Sequence, residues 1–198
     1  MVVGSELGIC PTCTLVVVTD DRPRKRVRWW YQFPHEKILS QLIATLDDIK
    51  RKNRQGKAAI NMSFSYTLDN GLPPRFFRLF RRLLQKLDEQ GVVVVASANN
   101  HSHIMKDNGK IEVKEGIPAR RYPAKFADPN DRYGGLPNMV VVSASDWTTQ
   151  RAYFSNYSPW ITTFAPGHNI QCPKDPARAG TGTRTMEACS GTSFGGSS

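Results

Sequence analysis

The chain has 198 residues, 39% of them hydrophobic and 22% charged, a size and composition that suit one soluble domain over residues 1–198 with a buried core and leave no room for a second full domain. No apolar run approaches the ~20 residues of a membrane-spanning helix, and the start, Met1-Val2-Val3-Gly4-Ser5-Glu6, lacks the basic and apolar regions of a secretory signal. The formal net charge of +10 gathers at 22–28 (beside Trp29, Trp30 and Tyr31), 50–57 and 75–82; no zinc-finger, helix-turn-helix or RNA-binding signature accompanies it, so solvated helix and loop faces are the expected reading and a nucleic-acid partner is not.

In chain order, Cys10 and Cys13 form a C-x-x-C pair, but Cys172 and Cys189 are too far apart to complete a zinc ribbon, and the cysteines are expected to be small residues buried beside a strand. Leu15-Val16-Val17-Val18 reads as a buried strand ending in a turn at Thr19-Asp20-Asp21. Over 36–52 the apolar residues Ile38, Leu39, Leu42, Ile43, Leu46 and Ile49 fall at helical spacing on one stripe. A second strand is predicted over 58–64. Pro73 and Pro74 then open an amphipathic helix with Phe76, Phe77, Phe80, Leu83, Leu84 and Leu87 inward and Gly91 just past its end. The runs 92–96 and 139–142 are valine strands apolar on both faces. Strands without alternation, separated by helices, predict a parallel sheet covered on both sides. Residues 101–121, 127–138 and 165–188 read as irregular loops.

In open α/β sheets, functional groups gather beyond the carboxyl ends of the strands. Asn99-Asn100 directly follows the valine strand, and Gly191-Thr192-Ser193 lies near the C-terminus. The surroundings are more specific than either motif alone. The segment Gly91-Val92-Val93-Val94-Val95-Ala96-Ser97-Ala98-Asn99-Asn100 and the segment Ser190-Gly191-Thr192-Ser193-Phe194 resemble the oxyanion-hole strand and the nucleophile motif of subtilisin-like serine proteases. Tyr122-Pro123-Ala124-Lys125-Phe126, Val142-Ser143-Ala144-Ser145-Asp146, the run from Gln150 to Tyr157 and Phe164-Ala165-Pro166-Gly167 are similar to family segments in the same order. So is Ala59-Ile60-Asn61-Met62-Ser63, while Gly4-Ser5 and Gly8-Ile9-Cys10-Pro11 resemble the stretch after the catalytic-histidine helix of proteinase K-like members.

The resemblance implies an α/β fold, a parallel β-sheet flanked by helices on both faces, incomplete at both ends, and a serine endopeptidase acting on polypeptide substrates. Ser193 is implied as the nucleophile at a helix N-terminus, and Asn100 as the side-chain donor to the oxyanion beside the backbone N–H of Ser193. Ser63, Phe64, Ser65 and Tyr66 are implied to line the cleft and pair with an extended peptide; the bulk of Phe64 and Tyr66 departs from the family's glycine-rich stretch here. No cofactor is required. A structural calcium is the one metal the family suggests, with Asp146 giving a carboxylate and Pro123 and Lys125 giving carbonyls; a turn-forming Asp146 is the alternative.

The family's triad runs Asp, His, Ser along the chain, and neither the Asp segment nor the His-Gly segment is found in this sequence. His35, His101, His103 and His168 occupy no motif position. Since a serine without a positioned base is a poor nucleophile, the chain alone is expected to be inactive. After Ser193 the sequence reads Phe194-Gly195-Gly196 where the family continues in a long helix; two glycines oppose helix by roughly 2 kcal/mol, so one side of the sheet is expected to expose apolar surface. An alternative from another class is a non-catalytic pseudoprotease that binds peptides. The cellular compartment is left open.

Overall fold

In the computed structural model, residues 10, 12–18, 35–66, 72–105, 111–113, 121–173 and 186–196 are described. Helix α1 (His35–Arg51) buries Ile38, Leu42, Leu46 and Ile49 on the stripe its spacing predicts. At its C-terminal end Arg51, Lys52 and Arg54 surround Asp48 at 2.8, 3.1 and 3.6 Å. Helix α2 (Pro74–Glu89) starts directly after an extended Pro73, since a residue before proline is barred from the helical region and proline itself needs no N–H in the first turn. Its buried side is Phe76, Phe77, Phe80, Leu84 and Leu87, and Gly91, with φ of 68°, follows its end.

Strands β1 (Ala59–Met62), β2 (Val93–Ser97), β5 (Val140–Ser145) and β6 (Thr163–Pro166) form one sheet in the order β1-β2-β5-β6, every neighbouring pair parallel. Register puts Met62 beside Ala96 and Ala96 beside Val141, so Ile60, Met62, Val94, Ala96 and Val141 share one face. They pack in one cluster with the apolar residues of α2, of α1 and of the 3-10 turn Ala124–Ala127. Rings of Tyr66, Phe76, Phe77, Phe80, Tyr122 and Phe126 meet there edge-on or tilted at 4.5–6.4 Å, as aromatic quadrupoles favour. The short helix α3 (Thr192–Gly195) lies against the other face: a methyl group on Gly195 would stand 3.4 Å from Val142 Cγ1, on the side opposite Val141. Helices therefore flank both faces, as expected, but very unequally.

Several expectations need correction. Leu15, Val16, Val17 and Val18 form no strand and all four are exposed; an apolar run becomes a strand only where another strand offers it a ladder, and none of the described strands pairs with this one. Cys10 and Cys13 are not buried beside a strand but bonded to each other as a disulfide, with Cys13 exposed. The supposed loops hold two small antiparallel sheets, β3 (His103–Met105) with β4 (Ile111–Val113) and β7 (Ile170–Pro173) with β8 (Met186–Cys189). The edge strand β6 also escaped the periodicity because Thr163-Phe164-Ala165-Pro166 has no apolar run; its proline sits at the sheet edge, where proline is tolerated.

Candidate active site

All four strands of the main sheet run the same way, so their carboxyl ends form one rim. β1 delivers Ser63 there, β2 delivers Asn99 and Asn100, and β8 leads into Gly191, Thr192 and Ser193. The Thr192 backbone N–H donates to Asn100 Oδ1 at 2.8 Å, joining segments 92 residues apart. Because the partner is an N–H, that end of the amide is the oxygen, which leaves Asn100 Nδ2 as the donor end; a methyl group on Gly191 would stand 3.2 Å from it. Ser193 Oγ donates to the Ser63 carbonyl at 3.5 Å, and Ser63 Oγ lies 3.4 Å from the Ser193 carbonyl and 3.2 Å from Asn61 Oδ1, donating to one at a time. The Ser193 N–H falls in the first turn of α3. Asn100, Ser193 and Ser63 are thus brought together.

The rest of the predicted cleft divides. Phe64 and Ser65 are half-buried beside Ser63, but the Tyr66 ring turns into the aromatic cluster and its N–H and C=O are both spent on Tyr122, at 2.7 and 2.9 Å. Burial raises the Tyr66 phenol to about 12. Ser63, Phe64 and Ser65 are half-buried just past β1, whereas Tyr66 is core.

Asp146 makes a turn. Its Oδ1 accepts from the Thr148 N–H, the Thr148 hydroxyl and the Gln150 N–H at 2.9, 2.7 and 3.1 Å. The Thr148 hydroxyl holds this carboxyl below its ordinary value, helped by the two backbone N–H groups and by His168. The Pro123 and Lys125 carbonyls close the 3-10 turn by accepting from Phe126 and Asp128 at 2.8 and 3.0 Å. Among the described residues no group of three or more acidic, histidine or cysteine side chains could hold a metal. These oxygens are engaged within two separate turns and as they stand do not fit a calcium cage.

Sequence reading passed over the residue that ties the rim together. Asn156 is almost fully buried; its N–H donates to the Asn99 carbonyl at 3.0 Å, and its Oδ1 accepts from the His101 N–H and the Ser102 hydroxyl at 2.9 and 3.3 Å. Asn99, between these anchors, adopts a φ of 75°, a left-handed conformation that asparagine tolerates better than most residues. The Asn156 carbonyl accepts from Ser143 Oγ at 3.1 Å, so in the 2.6 Å contact between Ser143 and Ser155 the proton comes from Ser155, whose oxygen also accepts from the Ala144 N–H at 2.9 Å. Each hydroxyl is used in both senses. Nothing in an Asn within a polar loop announces this; only its place in a resemblance could.

His168 lies one residue past Gly167, whose carbonyl accepts from the Gly191 N–H at 2.8 Å, and its ring meets Tyr153 and Phe154 edge-on at 5.7 and 5.9 Å. Gly167 has to be glycine: an added methyl would come within 2.7 Å of Ala144 Cβ and 2.8 Å of the Gly191 carbonyl.

The chain is 32% identical over 137 residues to Alkaline protease 1 of Aspergillus clavatus, covering 67% of this chain and 25% of that protein. It is 26% identical over 144 residues to Subtilisin-like protease 12 of Arthroderma gypseum, covering 73% of this chain and 28% of that one. Among solved structures, the prenylagaramide maturation protease PagA superposes with a TM-score of 0.55 at 18% identity, over 91% of this chain and 49% of that one, a likeness of fold. The chain thus spans about a quarter of the length of the curated relatives it matches. The family model described as Subtilase family matches residues 8–196. With nearly the whole length matched, the chain belongs to the subtilase family of serine-type peptidases.

Proposed function

We propose that this chain carries the nucleophile and oxyanion half of a serine endopeptidase site for polypeptide substrates, and that alone it hydrolyses them poorly. The observation that supports the reading best is the 2.8 Å bond from Thr192 N–H to Asn100 Oδ1. It holds Asn100 against the segment that carries Ser193, so that an oxyanion formed by attack of Ser193 Oγ would accept from the Asn100 amide and the Ser193 peptide N–H. A peptide extended along 63–65 would offer its carbonyl to that pair.

The reason for expecting poor turnover is that the sequence holds neither the Asp segment nor the His-Gly segment of the family's triad. Attack requires Ser193 to lose its proton, and the Ser63 carbonyl that receives its hydrogen bond is no base at neutral pH. Of the four histidines, His101 is exposed past the oxyanion loop and the His168 ring rests on Tyr153 and Phe154. The test is fluorophosphonate labelling. The chain alone should label no faster than Ser193→Ala; labelling at enzyme-like rates, lost in that variant, overturns the poor-turnover reading. In imidazole buffer, slow labelling at Ser193 should appear and fall by roughly 10²-fold in Asn100→Ala. Labelling indifferent to that substitution removes the oxyanion assignment.

A further inference from the structure

Two cysteines outside this chemistry stand together. In the β7–β8 pair, Ile170 lies opposite Cys189 and Cys172 opposite Glu187. Residues two apart share a face, so Cys172 and Cys189 are diagonal neighbours on the same side of the ribbon. Both are free thiols, both half-buried, and Cys189 stands near enough to Cys172 to perturb it. Cys10 and Cys13, by contrast, already form a disulfide. From Cys189 the chain runs directly through Ser190, Gly191 and Thr192 to Ser193.

We propose that Cys172 and Cys189 form a dithiol–disulfide exchange site whose reactant is a low-molecular-weight disulfide, and whose oxidised form ties β7 to β8 just ahead of Ser193. Burial, reinforced by Cys189, pushes the Cys172 thiol up to about 11 and so disfavours it as the first attacking sulfur. The Cys189 thiolate displaces one thiolate from the reactant disulfide, forming a mixed disulfide. Cys172, losing its proton to solvent, then attacks the Cys189 sulfur and expels the second thiolate. Both released thiolates take up protons: the protein's two thiols are oxidised to one disulfide, and the reactant is reduced to two thiols.

The register also sets the character of the bond. Diagonal neighbours in an antiparallel pair stand about 7–8 Å apart, beyond the roughly 4.4–6.8 Å that a disulfide spans between Cα atoms. Oxidation therefore draws the two strands together. A two-stranded ribbon outside the main sheet can yield to that pull, but the bond resists it and is readily reduced. Among the described residues no third ligand joins the two sulfurs to make a metal site.

The test uses the whole chain in glutathione buffers running from reduced to oxidised, quenched with an alkylating agent and mapped as unreduced peptides by mass spectrometry. As the oxidised fraction rises, Cys172 and Cys189 should lose alkylation together and appear in one linked peptide, reversibly on return to the reduced buffer. Cys172→Ser should stop at a glutathione adduct on Cys189. The proposal is overturned if both thiols remain alkylatable in the most oxidised buffer, if the unsubstituted chain stops at the adduct, or if either thiol pairs with Cys10 or Cys13. The decisive reading comes from the unsubstituted chain, so a variant that fails to fold does not spoil it.

Discussion

The two faces of the main sheet are built from similar residues and live in different surroundings. On one, Ile60, Met62, Val94, Ala96 and Val141 meet the aromatic side of α2 in a single cluster. On the other, Ala59, Asn61 and Thr163 are exposed, Val95, Val140 and Ala165 are half-buried, and Val93 keeps 48% of its surface in solvent. Toward the carboxyl ends Ser97, Val142 and Ala144 are well covered on that side, Val142 beneath α3. The candidate site sits on the rim where the open face meets α3. Stability and chemistry are therefore held by different layers: apolar burial under α2 fixes the strands, and a polar network at their ends fixes the donors.

The largest effect that could break this contrast is a cavity in the covered face. Phe80 is fully buried and touches Tyr66, Phe76 and Phe126. Phe80→Ala should lose about 3–5 kcal/mol of unfolding free energy, the usual cost of removing a buried ring that its neighbours cannot replace. Val93→Thr on the open face keeps the β-branched shape and should change stability by less than about 0.5 kcal/mol. Urea denaturation of the two variants measures both. Equal losses would mean that the open face is covered in solution, and the contrast between the layers would fall.

A second effect, of about 2 kcal/mol, tests the polar layer. Asn156→Ala removes the oxygen that accepts from His101 N–H and Ser102 Oγ, leaving a buried hydroxyl and a part-buried N–H without it. Its own backbone bond to Asn99 survives, so the damage should be local. Amide hydrogen exchange should speed up over 99–102 while amides of α2 keep their protection relative to global unfolding. Uniform loss of protection would make Asn156 a general core residue rather than the anchor of the loop 99–102.

What the sequence made legible follows the same division. The apolar stripes of α1 and α2 and the valine runs of β2 and β5 appear because burial acts on periodicity, and periodicity is local. Asn100 and Ser193 were legible only through resemblance, since their meeting depends on strand ends brought together by the sheet. Tyr66 was misread for a related reason: its neighbours in sequence line the rim, but its N–H and C=O pair with Tyr122, 56 positions on, and carry its ring inward. Leu15 to Val18 show the converse, a strong local signal with no partner among the described strands. A cluster such as Ser143, Ser155 and Asn156 offers no pattern at all until the fold supplies the proton donors and acceptors.

The smallest effect sharpens the contrast by titration. Water is excluded from the covered face, so the Tyr66 phenol rises from 10.0 to about 12. A phenol is charged when deprotonated; raising its value in the folded state means that between pH 10 and 12 the unfolded chain gives up a proton the folded one keeps. Stability from this group is complete below pH 10 and is lost as pH climbs toward 12, amounting to about 1 kcal/mol by pH 11. Tyr122, raised in the same direction by burial and by its hydrogen bond to Asp131, adds to the decline. Tyr66→Phe keeps the ring and deletes the titration, so its stability should fall less steeply than that of the unsubstituted chain above pH 10, with Tyr122 supplying the remaining slope. Urea midpoints at pH 9, 10 and 11 give the comparison. Parallel curves would mean that solvent reaches Tyr66, and that the aromatic layer under α2 is no drier than the face that α3 leaves open.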